Sequence, residues 1–242
     1  ISLDKRAFLD CWELQEIRLP KSLKTLGGGA FAGCSGLTEI ELPEGLETIE
    51  DGALMGCDFT SLVIPASVTE IGNTAFANDS CLETIEIKGN VPRLWYYTFD
   101  ECDALREVLI TGGVETIDEE VFMNLDSLER VQIAGGLKTI GKRAFWLCDN
   151  LTTVSLPDGV TSIGEEAFKE CSSLTTINLP NSITTIGANA FNGTKLTGPL
   201  NIPSSLVSLG DNAFNGCSGI TGTLVFPAAM ENISTNVFAG CS

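Results

Sequence analysis

The sequence predicts a repeat solenoid that carries a parallel β-sheet, with about ten turns of ~23 residues each. The first observation is a recurring motif, plainest at residues 148–171, which read CDNLTTVSLPDGVTSIGEEAFKEC. The second is its period, because ten intervals separate Phe8 from the equivalent Phe238, 230 residues later, and average 23. Such turns cannot bury an apolar side alone and must stack on their neighbours. The aromatic position is held by Phe8, Phe31, Leu54, Phe76, Phe99, Phe122, Phe145, Phe168, Phe191, Phe214 and Phe238.

The first half of each repeat is predicted to be a β-strand. Its apolar residues follow the alternation of a strand with one buried face, as at Leu174, Ile177 and Leu179. A proline follows at once in many repeats, and because proline cannot donate to a ladder, it should end the strand and turn the chain. These prolines are Pro43, Pro65, Pro157, Pro180 and Pro203.

The second half of each repeat is predicted to hold a short extended segment, a corner and a tight turn. An apolar pair such as Val160 and Ile163 suits the extended segment on another side of the turn. The AFxxC stretch leaves room only for one tight or 3₁₀-like turn that lays its phenylalanine into the core. The predicted corner glycines are Gly72, Gly141, Gly164, Gly187 and Gly210.

The repeated pattern CxxLxx(I/V)x(L/I)Pxx(L/V/I)xx(I/L)GxxAFxxC resembles the leucine-rich repeats of the BspA-like type, over nearly the whole chain. The resemblance implies a leucine-rich repeat solenoid with its parallel sheet on the concave face. It also implies a surface or secreted protein, since members are typically bacterial surface proteins and several are associated with adhesion to host proteins or other microbes. Fold alone does not carry function, and the family has no shared catalytic motif to place on residues here.

Composition predicts one repeat domain over residues 1–242, with no linker and both ends cut within repeats. No uncharged apolar run approaches the roughly 20 residues that a membrane helix needs, so no direct membrane insertion is expected. The formal net charge of −18 disfavours nucleic acid and anionic membranes as partners.

The sequence argues against an enzyme. It contains no histidine, which removes the Ser-His-Asp and Cys-His nucleophile systems and the commonest metal ligand. Paired carboxylates at 119–120 and 165–166 remain as candidates for acid/base chemistry, but Lys142 and Arg143 occupy the same corner in the turn between them. We therefore expect a ladder of alternating charge, and we expect no cofactor and no metal site.

The cysteines at the repeat position are predicted to be buried free thiols. Stacking brings neighbouring cysteine Cα atoms within disulfide range but holds their Cα–Cβ bonds parallel, which keeps the Cβ atoms too far apart. Zinc needs ligands that converge, whereas a ladder sets them in a row. Cys81 is out of register and is either an exposed, reactive thiol or a buried neighbour of Asp79. The repeat cysteines are Cys11, Cys34, Cys57, Cys102, Cys148, Cys171, Cys217 and Cys241.

Two columns of side chains should point outward from the open face of the sheet. One holds Arg18, Glu41, Val63, Glu86, Leu109, Gln132, Ser155, Asn178, Asn201 and Val225, and the other holds Glu16, Glu39, Ser61, Thr84, Glu107, Arg130, Thr153, Thr176, Pro199 and Thr223. Charged residues dominate the first half, so a protein partner is expected to bind turns one to six. Its candidate contacts are Glu16, Arg18, Glu39, Glu41, Glu86, Glu107, Leu109, Arg130 and Gln132; the alternative is that all are ordinary strand-surface residues.

The fourth turn carries Trp95, Tyr96 and Tyr97 where other turns have glycine and two polar residues. Together with Trp146, two turns on, these rings form a candidate aromatic patch for a sugar face or a protein contact. The alternative is that they cover a local defect in the core. A tryptophan adopts a positive φ only at a cost, so this corner is either remodelled or never needed that conformation.

The sequence thus predicts a non-enzymatic protein-interaction module of a cell-surface or secreted protein, with the host- or matrix-binding role of an adhesin. Two alternatives stay open. One is a carbohydrate-binding module that uses the aromatic patch, with a glycan as its partner. The other is a structural spacer in a larger surface protein.

Overall fold

The computed structural model describes residues 1–230 and 232–241. The chain divides into two compact units, Ile1–Glu115 and Thr116–Ser242, which are described separately. Throughout the described residues the regular structure consists of short β-strands without helices, so no helix there is long and apolar enough to cross a membrane.

The first unit stacks its turns through two sets of parallel strands. Two-residue strands pair in the order β1-β2-β3-β5, and four-residue strands pair in the order β4-β6-β8. The strands are β1 (Ser2–Leu3), β2 (Thr25–Leu26), β3 (Thr48–Ile49), β4 (Ser61–Ile64), β5 (Glu70–Ile71), β6 (Thr84–Ile87), β7 (Arg93–Leu94) and β8 (Glu107–Ile110).

The second unit repeats this organisation. The short strands pair in parallel as β9-β11-β13-β14-β16, β10 pairs with β12, and β15 pairs with β17. The strands are β9 (Thr116–Ile117), β10 (Arg130–Ile133), β11 (Thr139–Ile140), β12 (Thr153–Ser155), β13 (Ser162–Ile163), β14 (Thr185–Ile186), β15 (Thr197–Pro199), β16 (Ser208–Leu209) and β17 (Gly219–Thr221). The predicted solenoid of parallel strands is confirmed.

The prediction of a strand in the first half of every repeat is partly wrong. Segments 16–19, 39–42 and 176–179 form no strand, although Leu42 and Leu179 are buried as the alternation predicted. The short extended segment in the second half, in contrast, forms a ladder in nearly every turn. Alternation determines which side chains are buried, but a ladder also needs neighbouring backbones at about 4.8 Å, which the pattern does not encode.

The phenylalanine column forms the centre of each unit. In the second unit Phe145 lies between Phe122 and Phe168, with ring centroids 5.1 and 5.0 Å away and nearly parallel planes. In the first unit Phe76 stacks on Phe99 at 5.5 Å. Burying one such ring stabilises the fold by about 1.5–3 kcal/mol, and the ring contacts add roughly 0.5–1.5 kcal/mol.

Glycine lies at the corner, as predicted, and the structure shows why it is needed there. The predicted glycines do not have a positive φ; a Cβ on Gly141 would instead lie 2.5 Å from the carbonyl carbon of Asp118, so glycine is needed there for close approach of successive turns. The left-handed residues follow two and six positions later, as at Arg143 (φ 53°) and Leu147 (φ 61°). Hydrogen bonds from the Trp146 N–H to the Arg143 carbonyl and from the Cys148 N–H to the Phe145 carbonyl close the predicted tight turn.

Candidate interaction surfaces

The first unit presents an outward sheet face on β4, β6 and β8. Ser61, Thr84 and Glu107 lie side by side in register, and so do Val63, Glu86 and Leu109. Val63 is 47% exposed, whereas Glu86, Glu107 and Leu109 are half-buried. We call this surface the first-unit sheet face; its strands place the predicted contact residues next to one another.

The polar groups of this face are held by local contacts. The Lys88 ammonium lies 3.4 Å from the Glu86 carboxylate, with both side chains partly exposed. An exposed pair of this kind contributes only about 0–1 kcal/mol, so it orients the carboxylate more than it stabilises the fold. The Glu86 carboxylate is therefore partly exposed and paired with Lys88.

The other predicted contacts lie on less regular segments or on the second unit. Glu39 and Glu41 are exposed on segment 39–42. Glu16 and Arg18 are also exposed, and the Arg18 Nε donates to the Glu16 carboxylate at 2.9 Å. On the second unit Arg130 lies beside Thr153, and Gln132 lies beside Ser155.

One predicted column has the wrong register near the end of the chain. Pro199 lies beside Thr221, not Thr223. The β15 and β17 strands begin closer to the preceding tight turn than in other repeats. Gly198, with a φ of 77°, bends the chain in β15. The strands therefore begin earlier in these two repeats than a count back from the following proline predicts.

This rearrangement leaves a shallow cavity of about 220 Å³ where the second unit's sheet is interrupted. Its walls include Ile177, Leu196, Leu200 and Ile220, with the Thr176 hydroxyl also in the lining. No charged side chain lines it. The sequence feature at this cavity is the Gly198-Pro199 dipeptide, which lies where the repeat pattern predicts an ordinary strand.

The predicted aromatic residues occupy two settings. In the first unit Trp95, Tyr96 and Tyr97 are all exposed, the two tyrosine rings are 4.6 Å apart, and the Arg93 guanidinium lies 4.9 Å from the Trp95 ring. In the second unit Trp146 is partly buried beneath the Arg143 guanidinium, 5.0 Å from its ring. Its indole Nε1 is enclosed and has no hydrogen-bond partner among the described residues.

The predicted ladder of alternating charge is confirmed in the second unit. The Arg143 guanidinium lies 2.7 Å from the Glu166 carboxylate and 3.4 Å from the Glu120 carboxylate. Lys169 lies 2.8 Å from Glu166, and Lys142 pairs with Glu165 at 3.3 Å. Hydrogen bonds from Lys169 and Arg143 lower the pKa of Glu166, which keeps it ionised. The carboxylates therefore serve as ion-pair partners of the corner.

The cysteine column consists of free thiols, as predicted, and those at Cys11 and Cys241 are only partly buried. Each inner thiol bonds to a carbonyl of the preceding turn, as when the Cys171 Sγ donates to the Phe145 carbonyl at 3.0 Å. Burial raises the pKa of Cys171 to about 12. Such thiols act as small apolar fillers with one weak hydrogen bond. Cys81 is exposed, which decides between its two predicted environments.

Asp79 replaces cysteine in this column and is completely buried. Its Oδ1 accepts a hydrogen bond from the Cys57 N–H at 2.6 Å, while its Oδ2 has no partner among the described residues. Burial raises the pKa of Asp79 to about 9, so the carboxyl is neutral at pH 7. The repeat pattern shows only that cysteine is replaced at this position, and it did not predict a buried acid.

Among the described residues no group of three or more histidine, cysteine, aspartate or glutamate side chains could hold a metal ion. The surfaces described above offer carboxylates, hydroxyls and exposed aromatic rings for recognition.

Three solved structures share this architecture. A leucine-rich repeat protein from Bacteroides ovatus is 26% identical, with a TM-score of 0.54, over 100% of this chain and 80% of that one. A leucine-rich cell surface protein from Faecalibacterium prausnitzii is 27% identical, with a TM-score of 0.51, over 94% of this chain and 63% of that one. A leucine-rich repeat protein from Eubacterium ventriosum is 29% identical, with a TM-score of 0.52, over 74% of this chain and 42% of that one. The chain therefore spans less than two thirds of the latter two proteins.

No curated protein is detectably similar to the chain. The family model of the BspA-type leucine-rich repeat region, in contrast, matches residues 1–129 and 115–242. Together these matches extend over the chain from its first residue to its last, and they agree with the repeat of phenylalanine and cysteine that forms the core. The chain belongs to the BspA-type leucine-rich repeat family.

Proposed function

We propose that this chain is a non-enzymatic protein-interaction module of a cell-surface or secreted protein, and that it binds a host matrix protein through the first-unit sheet face. The observation that carries the proposal is the register of β4, β6 and β8, which sets Val63, Glu86 and Glu107 on one surface. Leucine-rich repeat proteins generally act as protein-interaction modules. The family, and the similarity to a cell surface protein from Faecalibacterium prausnitzii, support the location.

The physical chemistry of the face favours a protein as its ligand. An exposed aliphatic side chain at Val63 offers apolar area, and the Glu86 carboxylate beside it offers a charged group. Glu107, on the third strand of the same face, adds a second carboxylate. A neighbouring segment adds the exposed Glu39 and Glu41. With a net charge of −18, the chain attracts a basic patch on its partner and repels acidic proteins.

A binding assay tests the proposal. The purified chain is titrated over immobilised fibronectin and fibrinogen at physiological salt, with the Glu41→Lys and Glu86→Lys variants in parallel. Glu44→Lys is the matched control, since Glu44 is exposed but lies just beyond Pro43, outside the predicted columns. We expect saturable binding that weakens by about tenfold or more in the two face variants and stays unchanged in the control.

Absence of binding at high micromolar concentration rejects these two matrix proteins as partners and favours the spacer alternative. Equal loss in all three variants would instead attribute binding to net charge, and the specific role of the sheet face would be rejected.

A further inference from the structure

Three consecutive aromatic residues are partly exposed to solvent at one corner of the first unit. Trp95, Tyr96 and Tyr97 are 38%, 47% and 37% exposed. The preceding turn has Gly72, Asn73 and Thr74 at the same corner. We call the three rings the aromatic corner.

The aromatic corner does not repair the core. Leu94 and Phe99, on either side of it, are fully buried, and Phe99 stacks on Phe76 at 5.5 Å as in other turns. The tight turn accommodates Thr98, whose buried hydroxyl donates to the Trp95 carbonyl at 2.6 Å. Because the core beneath is filled and its polar group is satisfied, the three rings are not needed to close a defect there.

The backbone holds these rings in a defined arrangement. The Thr98 N–H donates to the Trp95 carbonyl, and the Asp100 N–H donates to the Tyr97 carbonyl. These two hydrogen bonds hold the backbone of the corner in a tight turn. Trp95 does not have a positive φ, whereas Tyr97 has a φ of 61°. The predicted alternative that the glycine position never required a left-handed residue is therefore correct. The tyrosine rings meet at 4.6 Å with a 52° tilt, and Arg93 supports one side of Trp95.

We propose that the aromatic corner is a binding site for neutral pyranose sugars. The face of an aromatic ring packs against the C–H face of a sugar ring, while the tyrosine hydroxyls can hydrogen-bond with the sugar hydroxyls at its edge. Asp100 and Glu101 follow the corner and the chain has a net charge of −18, which outweighs the single cation at Arg93 beside Trp95 and disfavours acidic glycans. The site thus selects an uncharged ligand with one apolar face and a polar edge.

The size of the aromatic corner favours a sugar over a protein. A stable protein interface buries roughly 800 Å² on each partner and engages about 20–30 residues a side. The corner offers three side chains, and Asn73, Thr74, Asp100 and Glu101 around it are polar. Trp146 is not part of the proposed site, because it is partly buried and its indole N–H is enclosed.

The test titrates cellohexaose, maltohexaose, chitohexaose and xylohexaose into the full chain at physiological salt, with calorimetry and tryptophan fluorescence as readouts. Trp95→Ala and Tyr97→Gly remove one ring each, and glycine accepts the positive φ of Tyr97 without strain. Trp12→Ala is the matched control, since Trp12 is 65% exposed and outside the aromatic corner. Tyr96→Ser is a further variant in case another one unfolds.

We expect saturable binding of at least one oligosaccharide, weakened about tenfold or more by each corner variant and unchanged by Trp12→Ala. The proposal is overturned if none of the four sugars binds at about 10 mM, or if binding is unchanged in Trp95→Ala, Tyr97→Gly and Tyr96→Ser alike. It is also overturned if the corner variants abolish fibronectin or fibrinogen binding but no sugar binds, which would make the corner a protein contact. Because the sheet-face variants are different residues, this test and that of the proposed function can fail independently.

Discussion

The buried acid in the cysteine column predicts a specific pH dependence of stability. Asp79 is completely buried, and the pKa of its carboxyl is raised to about 9 by burial, against about 3.9 in an unfolded chain. Between these values the folded state holds one more proton than the unfolded state. The stabilising effect of the neutral carboxyl is therefore complete below the unfolded pKa and is lost as pH rises through the folded pKa.

The magnitude follows from the proton difference. Because the folded state binds one more proton, the free energy of unfolding falls by up to about 1.4 kcal/mol for each unit that the pH rises. Between pH 5 and pH 8 this amounts to about 4 kcal/mol. Asp79→Asn removes the ionisation while keeping the oxygen that accepts from the Cys57 N–H. The variant should match the native chain below about pH 4, and its advantage in stability should grow by about 4 kcal/mol between pH 5 and pH 8.

Chemical denaturation of both proteins at pH 5, 6, 7 and 8 and fixed ionic strength measures this difference. Taking the difference between variants cancels the repulsion among surface carboxylates, which both chains share. Asp79→Cys, which restores the repeat residue, should show the same gain over the native chain. A difference that stays flat from pH 5 to pH 8 would show that Asp79 ionises alike in both states, and the argument from burial would be refuted.

Three further predictions address the core, the corner and the thiols. Phe168→Ala should lower the free energy of unfolding by about 3–5 kcal/mol in a denaturant titration, whereas Val207→Ala, at an exposed site, should change it by less than about 0.5 kcal/mol. Gly164→Ala should lower the melting temperature, because a Cβ there would lie 2.6 Å from the backbone of the preceding turn. Gly135→Ala is the control and should leave the melting temperature unchanged, since there is open space around its Cβ. Equal effects of the two substitutions would contradict the close-approach argument. In the native state a thiol reagent should modify the exposed Cys81 first, and rapid labelling of every cysteine would contradict the buried column. Because the thiols are free, adding a reductant should leave the melting temperature unchanged.

The stacking of turns and the identity of the core were predictable from the sequence because burial follows chemical periodicity. A phenylalanine every 23 residues can be sequestered only if successive turns align, and Phe145 between Phe122 and Phe168 shows that they do. The same reasoning predicted the free thiols, since a ladder holds equivalent side chains parallel.

The backbone of the corner was not predictable in the same way. Residue type gave little sign that Arg143 and Leu147 adopt a positive φ, because neither belongs to the types that favour it. Gly141 was expected to mark the corner, but the sequence did not show the reason, which is that two backbones approach closely there. Contacts between successive turns override local preference at these positions, and one repeat alone does not show them.

The candidate surfaces were predicted in part. Alternation correctly set Val63 and Glu86 outward, and β4 and β6 bring them side by side. It could not show that segment 39–42 forms no ladder. It also could not show that Pro199 lies beside Thr221, because the repeats were aligned on their prolines whereas β15 and β17 begin closer to the preceding tight turn.

A photo-crosslinking measurement tests most directly whether the first-unit sheet face binds protein. A photoreactive phenylalanine analogue replaces Val63, which is 47% exposed on that face, or Val207, which is 56% exposed elsewhere in the chain. Each labelled chain is irradiated with fibronectin and, separately, with fibrinogen. The account predicts a covalent adduct from position 63 that the Glu86→Lys change suppresses, and none from position 207. An adduct from position 207 alone, or binding without any adduct from position 63, would contradict it.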